Sequence, residues 1–448
     1  MTLYGVTGHP VLQSRSPQVF NRLFSSRGVD AIYTRLGAST GAGALALARK
    51  LSVAGLNVTS PFKEEVYRLV ADRDTCSMRL LAANTVALGA SSTAVFNTDP
   101  DGVRHALAAR AIPTRGQRVI VLGSGGAARA AAHALVAGAA NVVVASRTEA
   151  RAAETAAAAE CEWSALEELP DLLRSASGLV SCLPPGIDIV EERWLRPGMW
   201  ILDANYHRPV LAAKARRCGC VVADGLDWLA GQAAGSYRVF VDRQRTRDDL
   251  AGHPTDSLAS EIAGLLSEAG GDTAVRHGVA IAGMMAAGKS TVAAALGRRL
   301  GRPVVDTDEV IAGRTGHDIP WLFAHRGEEE FRRIEADVIA GLTNGPAPLM
   351  ALGGGSLGDP ATRAEVQRVC RVVWLWASPA CLAERAAAGR QNRPLLDADR
   401  SEARLAALLS ERTRAYASSA DLVVDAERPP EEVVDLIEFE IRHLASGP

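Results

Sequence analysis

Short apolar runs alternate with longer stretches rich in Ala, Arg and Glu along most of the chain. Continuous apolar runs of this length are typical of buried parallel strands, and the stretches between them have the spacing of crossover helices. The pattern predicts an α/β protein with parallel sheets in its middle and C-terminal parts, and a less regular βα alternation in the first hundred residues. The predicted strands are 118–122, 141–145, 178–182, 199–203 and 220–224, followed by 278–282, 302–306, 348–352, 371–376 and 421–425.

Length and composition narrow the class of protein. A chain of 448 residues is expected to hold about three domains. The net charge of −2 argues against a nucleic-acid or acidic-membrane partner. Seven scattered cysteines predict reduced thiols, and with neither a signal segment nor a long apolar run the expected location is the cytoplasm. The oligomeric state is left open by the sequence.

Lysine is rare: only four of the 49 basic residues are lysines, at positions 50, 63, 214 and 289. A lysine amine can release its proton, whereas a guanidinium stays charged, so a lysine kept in an arginine-rich chain suggests a specific need for an amine. Lys63 and Lys289 lie in recognisable motifs. Lys50 and Lys214 lie in none, and we expect no functional role for them.

The segment from Gly283 to Ser290 fits the pattern G-x-x-x-x-G-K-[ST] between a predicted strand and a predicted helix. In that context backbone N–H groups cradle phosphates, the lysine reaches the β- and γ-phosphates, and the serine hydroxyl can bind Mg²⁺. The motif predicts ATP and Mg²⁺ as ligands. The predicted nucleotide-binding residues are Gly283, Ala287, Gly288, Lys289, Ser290 and Thr291.

A second glycine-rich turn begins at Gly123 and matches the dinucleotide fingerprint G-x-G-x-x-G/A. The following strand ends in Ser146-Arg147-Thr148, where an NAD site would carry an acidic residue for the ribose 2′-hydroxyl. An arginine there suits a 2′-phosphate, so NADP is favoured. The predicted cofactor-binding residues are Gly123, Gly125, Gly126, Ala127, Ser146, Arg147, Thr148 and Arg151.

Residues 3–265 resemble shikimate dehydrogenase through six ordered segments, which are 8–17, 57–63, 83–85, 97–99, 225–226 and 231–234. The resemblance implies that Lys63 and Asp99 are catalytic, with the lysine exchanging the hydroxyl proton as hydride moves. It also implies that Ser14 and Ser16 bind the substrate carboxylate. The other implied substrate-binding residues are Thr59, Asn84 and Gln232.

One segment near these motifs departs from the family pattern, and one histidine near them is expected to have no catalytic role. Where the family commonly has Asn-Ala-Thr-Ser beside the nicotinamide, this chain has Ser181-Cys182-Leu183-Pro184, which puts cofactor geometry and turnover in question. His9 is expected to be a structural histidine.

Residues 277–440 resemble shikimate kinase through Asp306-Thr307-Asp308, Glu330–Glu335, Gly353–Gly355, Asn392–Leu396 and Arg412. By that resemblance Asp306 supports Mg²⁺, Asp308 accepts the proton of the substrate hydroxyl and Arg393 neutralises the transferring phosphoryl group. Guanidinium groups suit a carboxylate substrate. The implied substrate-binding residues are Arg332, Gly354, Gly355 and Arg412, with Glu335 orienting Arg332. Ala286 stands where the family usually has glycine.

The two resemblances together imply consecutive steps, NADPH-dependent reduction of 3-dehydroshikimate to shikimate and phosphorylation of shikimate by ATP. One alternative is a quinate/shikimate dehydrogenase that uses NAD, joined to a kinase of another small hydroxy acid such as gluconate. Another is an active kinase beside an impaired dehydrogenase-like domain. The predicted domains are a substrate domain (1–102, completed by about 228–265), a Rossmann NADP domain (103–227), a linker (266–276) and a P-loop kinase domain (277–448). The helical pattern of DSLASEIAGLL leaves open that this segment closes the preceding domain.

Overall fold

The computed structural model describes residues 1–207, 209–242, 257–268, 276–345, 348–388 and 402–445. The strands are β1 (Thr2–Gly8), β2 (Ala31–Gly37), β3 (Gly55–Val58), β4 (Asp72–Arg73), β5 (Thr85–Leu88), β6 (Thr93–Phe96), β7 (Arg118–Leu122), β8 (Asn141–Ser146), β9 (Glu162–Ala165), β10 (Gly178–Ser181), β11 (Trp200–Asp203), β12 (Val221–Asp224), β13 (Gly278–Gly283), β14 (Val304–Asp306), β15 (Leu349–Ala351), β16 (Cys370–Trp376) and β17 (Leu422–Asp425).

The α-helices are α1 (Ser16–Ser26), α2 (Gly41–Lys50), α3 (Lys63–Leu69), α4 (Thr75–Leu80), α5 (Asp99–Ala109), α6 (Gly126–Ala137), α7 (Glu149–Ala159), α8 (Leu169–Ser175), α9 (Val210–Arg217), α10 (Gly225–Tyr237), α11 (Ser257–Glu268), α12 (Lys289–Leu300), α13 (Thr307–Thr315), α14 (Ile319–Thr343), α15 (Pro360–Val369), α16 (Pro379–Ala388), α17 (Glu402–Ser419) and α18 (Pro430–Ala445). Short helical turns cover Leu166–Glu168, Glu192–Trp194, Arg238–Asp242 and Ser356–Gly358. Within α14 the helix is interrupted at Gly327, whose φ is 79°.

The chain forms two compact units, one made of Met1–Pro17, Gly28–Val53 and Gly271–Pro448, the other of Gln18–Arg27 and Ala54–Gly270. These units differ from the four predicted segments, whose boundaries stay a prediction. Of the predicted linker, residues 269–275 lie outside the described residues. The helical segment before it forms α11, which packs against α10 within the second unit.

The first unit holds parallel strands in the order β14-β15-β13-β16-β17-β2-β1. All five strands predicted in the C-terminal part are present. The apolar side chains of β13, β15, β16 and β17 are buried, as expected where helices cover both faces of a parallel sheet, whereas Val304 and Val305 of the edge strand β14 are partly exposed. The pairing of β17 with β2, with Val423 opposite Leu36 and Val424 opposite Gly37, joins the C-terminal strands to the N-terminal ones.

The second unit contains a six-stranded parallel sheet in the order β12-β11-β10-β7-β8-β9 among the residues described. Alternate residues of β7 enter two different cores, Val119 and Val121 on one face and Ile120 and Leu122 on the other. Strand β9 was not predicted, because its residues Glu-Trp-Ser-Ala lack an apolar run. It lies at an edge of the sheet, where a strand tolerates polar side chains.

The first hundred residues are less regular because β3, β5 and β6 pair antiparallel in the second unit. The predicted fold class, α/β with a dinucleotide-binding sheet and a C-terminal phosphate-loop domain, is confirmed. No helix in the described ranges is both long and apolar enough to cross a membrane.

Candidate active sites

Lys63 and Asp99 form the centre of the candidate site in the second unit. Lys63 is the first residue of α3 and Asp99 the first residue of α5. The lysine Nζ lies 2.5 Å from Asp99 Oδ2, and the two side chains are 16% and 3% exposed. The helix start favours a negative charge at Asp99, and the carboxylate in turn holds the lysine amine in one position. An amine fixed in this way can exchange a proton with a bound hydroxyl or carbonyl oxygen.

Asn84 connects the carboxylate to the next two predicted residues. Its Nδ2 donates to Asp99 Oδ1 at 2.9 Å and to Gln232 Oε1 at 3.2 Å, while its Oδ1 accepts from the backbone N–H of Thr98 at 2.8 Å. The fold therefore brings together four predicted residues that are distant in sequence. Thr59, also predicted, lies partly exposed in the turn before α3, where its carbonyl accepts from the N–H of Phe62.

Ser236 belongs to this network and was missed from the sequence. Its hydroxyl donates to the carbonyl of Gln232 at 3.1 Å, accepts from Asn57 Nδ2 at 2.8 Å and lies 2.9 Å from Thr85 Oγ1. It lies one helical turn after Gln232 on α10, so the i, i+4 spacing was the available signal. Through Ser236, the start of the lysine segment is tied to the helix that carries Gln232.

The glycine-rich turn lies next to Lys63. A Cβ on Gly126, the first residue of α6, would meet Lys63 Cδ at 3.4 Å, and Ala127 follows in the same first turn. Gly123 has φ +110°, and a Cβ there would lie 3.2 Å from the carbonyl oxygen of Cys182. A Cβ on Gly125 would meet nothing within 4 Å. An open helix N-terminus with close backbone packing fits a dinucleotide pyrophosphate.

The residues predicted to select NADP lie where β8 ends. Ser146 Oγ is 3.0 Å from Ser124 Oγ in the glycine-rich turn, and Arg147 and Thr148 are exposed beside it. Arg151 is 54% exposed and lies 3.9 Å from Glu64. The exposed guanidinium of Arg147 therefore fits an adenosine 2′-phosphate better than a ribose hydroxyl.

The segment that departs from the dehydrogenase pattern follows β10. The Cys182 N–H donates to the carbonyl of Leu122, which places the cysteine beside the glycine-rich turn. Burial raises the pKa of the Cys182 thiol well above its usual range, and the carboxylates of Asp203 and Asp99 raise it further. The structure therefore puts a neutral, weakly polar thiol at this position.

Ser14 and Ser16 lie in the first unit, at the end of the loop that links β1 to α1. Their hydroxyls are 3.2 Å apart and the residues are only 9% and 6% exposed. Arg35 on β2 donates through Nε and Nη2 to the carbonyl of Ser14, at 3.2 and 2.7 Å. The loop is thus fixed by a buried guanidinium while its two hydroxyls stay close together.

The phosphate loop of the first unit runs from the end of β13 to the start of α12. Gly283 has φ +147°, and a Cβ there would lie 2.6 Å from the carbonyl oxygen of Leu375. Gly288 has φ +90° at the helix N-cap, and Lys289 Nζ donates to the carbonyl of Met284 at 3.1 Å. Ala287 is buried, whereas Ser290 and Thr291 are exposed at the helix start. The loop presents backbone N–H groups at a helix N-terminus, which fits a nucleotide phosphate.

Ala286 has a left-handed backbone conformation, with φ +63°. Residues other than glycine adopt this region at a cost of ~1–2 kcal/mol. The glycine usual in the family at this position would adopt it without that steric cost, so the alanine leaves strain in the loop.

Asp306 lies between the phosphate loop and Asp308. Its Oδ2 accepts from Ser290 Oγ at 2.6 Å, and its Oδ1 accepts from the N–H of Asp308 at 3.0 Å. A hydroxyl and a carboxylate held together in this way are suitable ligands for Mg²⁺ and its waters. The Asp308 carboxylate points elsewhere, toward Gly353, where a Cβ would meet its Oδ1 at 2.9 Å.

The two predicted carboxylate-binding arginines converge on Gly354 and Gly355. A Cβ on Gly355 would lie 2.2 Å from Arg332 Nη2, and Arg412 Nη1 donates to the carbonyl of Gly354 at 2.8 Å. Glu335, 3% exposed, accepts from Arg332 Nη1 at 2.6 Å, and this contact holds the guanidinium in one orientation. At Gly355 only glycine leaves room for a guanidinium group this close to the backbone.

Ser356 and Tyr416 complete this cluster without having been predicted as functional. Ser356 Oγ donates to Glu335 Oε1 and Tyr416 Oη donates to the carbonyl of Gly354, both at 2.5 Å. Burial raises the pKa of Tyr416 to about 12, so the phenol stays protonated and able to donate. Ser356 directly follows the glycine triplet, which was the available signal. Arg393, predicted to neutralise the phosphoryl group, lies outside the described residues.

The fold and the two sites define an enzyme with a dinucleotide-dependent oxidoreductase centre and a phosphate-loop phosphotransferase centre. The chain belongs to the shikimate dehydrogenase family. It matches the family models for the shikimate dehydrogenase substrate binding domain at residues 6–86 and for shikimate / quinate 5-dehydrogenase at 106–201. Residues 285–441 match the family model for shikimate kinase. The chain therefore combines dehydrogenase and kinase domains, as predicted.

Individual proteins agree with this assignment. The chain is 32% identical to shikimate dehydrogenase (NADP(+)) of Moorella thermoacetica over 268 residues, which are 54% of this chain and 88% of the relative. It is 33% identical to the enzyme of the same name from Methanocella arvoryzae, covering 58% of this chain and all of the relative. Among solved structures, shikimate dehydrogenase from Aquifex aeolicus superposes with a TM-score of 0.52 at 27% identity, covering 58% of this chain and 97% of that one.

Proposed function

We propose that this bifunctional enzyme of the shikimate pathway reduces 3-dehydroshikimate to shikimate with NADPH and then phosphorylates shikimate with ATP. The observation that carries the first activity is the Lys63–Asp99 pair, 2.5 Å apart and beside the glycine-rich turn. The second is supported by Arg332 and Arg412, which converge on a glycine triplet next to the phosphate loop.

In the reduction, NADPH supplies the hydride and Lys63 gives a proton to the developing alkoxide oxygen. Asp99 holds the amine in position, while Asn84 binds the other oxygen of this carboxylate and is itself bound to Gln232. General acid catalysis of this kind contributes roughly 10²–10⁴-fold to the rate. Ser14 and Ser16 bind the substrate carboxylate. The exposed Arg147 selects NADPH through the 2′-phosphate.

In the phosphorylation, ATP supplies the phosphoryl group, and Lys289 with the N-terminus of α12 binds the phosphates. Ser290 and Asp306 would hold Mg²⁺, since their side chains already lie 2.6 Å apart. Asp308 accepts the proton of the shikimate 3-hydroxyl. Arg332 and Arg412 bind the shikimate carboxylate, with Glu335 holding Arg332 in place. Phosphoryl transfer then depends on positioning and on positive charge around the phosphoryl group.

The test follows both steps in one reaction with the full-length protein. NADPH oxidation is measured with 3-dehydroshikimate, and shikimate 3-phosphate is then detected by mass spectrometry after ATP and Mg²⁺ are added. We expect NADPH to be consumed in proportion to substrate, and the phosphorylated product to form only after reduction. Activity with NADH and a quinate-type substrate, together with phosphorylation of gluconate, would instead support the alternative specificity. Kinase activity on added shikimate without any reduction would indicate an impaired dehydrogenase.

We also propose that the protein is located in the cytoplasm. All seven cysteines are free thiols, as is usual for proteins of reducing compartments. Cell fractionation would test this location. The enzyme is expected in the cytoplasmic fraction.

A further inference from the structure

The loop that carries Ser14 and Ser16 is fixed by a residue of the C-terminal helix α18. Glu440 on α18 is fully buried, and both of its carboxylate oxygens lie 2.9 Å from the backbone N–H of Val11. Its Oε2 also accepts from the N–H of Leu12 at 2.9 Å. Two consecutive loop N–H groups thus share one carboxylate that is more than 400 residues away in sequence.

Several further contacts fix the same loop. The His9 ring stacks on Phe439, with ring centroids 3.8 Å apart. Val11 is fully buried, and its carbonyl accepts from the N–H of Ser14 at 3.0 Å. The residue that binds Glu440 is therefore hydrogen-bonded directly to the first predicted substrate-binding serine.

A second connection links Ser14, through Arg35 on β2, to Asp421, the residue just before β17. Arg35 donates to the carbonyl of Ser14 through Nε and Nη2 and to the carbonyl of Asp421 through Nη1, at 3.4 Å. Lys50 pairs with Asp425 at 2.8 Å in the same region. The β1–α1 loop is consequently held between elements that match the dehydrogenase family and elements that match the kinase family, all within one compact unit.

We infer that Glu440 is a positioning residue for the dehydrogenase reaction, through which the kinase part of the chain sets the geometry of the substrate-binding loop at Ser14 and Ser16. This inference rests on the proposed function of those two serines. Charge is important here because a carboxylate accepts stronger hydrogen bonds from backbone N–H groups than a neutral amide does.

The charged form is the one that the loop stabilises. Burial raises the pKa of the Glu440 carboxyl, and the N–H groups of Leu12 and Val11 oppose that rise by bonding to the anion. An unpaired buried N–H is costly, so the loop loses its preferred conformation when the acceptor is lost. The kinase site uses other residues, so the effect is specific to the dehydrogenase.

The test compares Glu440→Gln with the parent in the full-length protein. The glutamine keeps one carbonyl acceptor and turns an NH₂ group toward the second loop N–H. We expect the KM for 3-dehydroshikimate to rise about 10-fold, equivalent to 1.4 kcal/mol. The kcat of reduction, the KM for NADPH and both kinase constants should stay within a few-fold, because Lys63 and the nucleotide sites are unchanged.

Glu438→Gln is the matched control. Glu438 lies on the same helix two residues earlier, but it pairs with Arg299 at 3.2 Å and with Arg442 at 2.7 Å. The same chemical change there should leave the KM for 3-dehydroshikimate unaltered. An equal rise in both variants would attribute the effect to general loosening of α18 and overturn the inference.

A double variant tests whether the effect passes through the loop. Ser14→Ala alone should also raise the KM for 3-dehydroshikimate, and Glu440→Gln in that background should add little, because coupled residues are not additive. Full additivity would overturn the inference. If Glu440→Gln does not fold, Glu440→Asp keeps the charge on a shorter side chain and should raise the same KM; an unchanged KM would refute the role of Glu440. A parent protein that fails to reduce 3-dehydroshikimate would instead overturn the proposed function itself.

Discussion

Replacing Asp99 by asparagine tests the proton-transfer centre of the dehydrogenase with almost no change in shape. Asp99 is 3% exposed and makes two side-chain contacts, Oδ1 with Asn84 at 2.9 Å and Oδ2 with Lys63 at 2.5 Å. The asparagine carbonyl can keep the bond from Asn84. Its NH₂ group would then face the lysine ammonium, so two donors would meet where an ion pair was.

The expected size of the effect follows from that exchange. A hydrogen bond to a charged group contributes ~1.5–3 kcal/mol, and this bond is lost while the Asn84 bond remains. Lys63 would no longer be held at the reacting oxygen, so kcat should fall by ~10²–10⁴, the range of general acid–base catalysis. That fall corresponds to roughly 3–5 kcal/mol of activation free energy.

The assay is NADPH oxidation with 3-dehydroshikimate, and kinase turnover on the same preparation is the internal control. We expect kinase activity to stay normal and the KM for NADPH to change by no more than a few-fold. Lys63→Met should lower kcat by at least as much as Asp99→Asn. A dehydrogenase kcat within a few-fold of the parent in Asp99→Asn would refute the role given to this pair.

Three further predictions concern single residues. Arg147→Asp should weaken NADP and relatively favour NAD, since a carboxylate repels the 2′-phosphate but accepts from a 2′-hydroxyl; an unchanged ratio of the two kcat/KM values would remove Arg147 from the adenosine site. Asp308→Asn should abolish phosphorylation of shikimate while ATP affinity, measured by calorimetry, and NADPH-dependent reduction persist; loss of ATP binding would point to a metal or folding role. Because its pKa is raised, the Cys182 thiol should stay protonated at pH 8. It should therefore react with iodoacetamide later than the other partly exposed cysteines, as followed by peptide mass spectrometry. Early labelling of Cys182 would contradict the raised pKa.

Local sequence determined the elements and the motifs. The apolar runs were long enough to identify all ten predicted strands. The two glycine-rich turns were recognisable because the backbone has a positive φ at Gly123 and Gly288, next to a helix start, and glycine adopts this conformation most readily. Such signals depend on neighbours within a few residues. Strand β9 escaped notice for the same reason, since an edge strand needs no apolar run.

The candidate site could be predicted as residue types but not as contacts. The motifs identified Lys63, Asn84, Asp99 and Gln232. Their arrangement in one hydrogen-bonded network depends on helices and strands that are far apart in sequence. Ser236 was missed because its place four residues after Gln232 is a weak signal until its hydrogen-bond partners are known. The same is true of Ser356 beside Glu335.

Tertiary structure alone decided which parts of the chain share a compact unit. The sequence places a linker at 266–276 between the dehydrogenase and kinase segments, yet β17 pairs with β2 and Glu440 binds the N–H groups of Val11 and Leu12. A strand edge can pair with any other edge through backbone groups, so its partner leaves little trace in sequence. A buried carboxylate likewise needs N–H donors but does not specify where in the chain they lie. The motifs therefore predict the chemistry of this protein. The contacts between its kinase segment and its N-terminal dehydrogenase segment can be seen only in the folded chain.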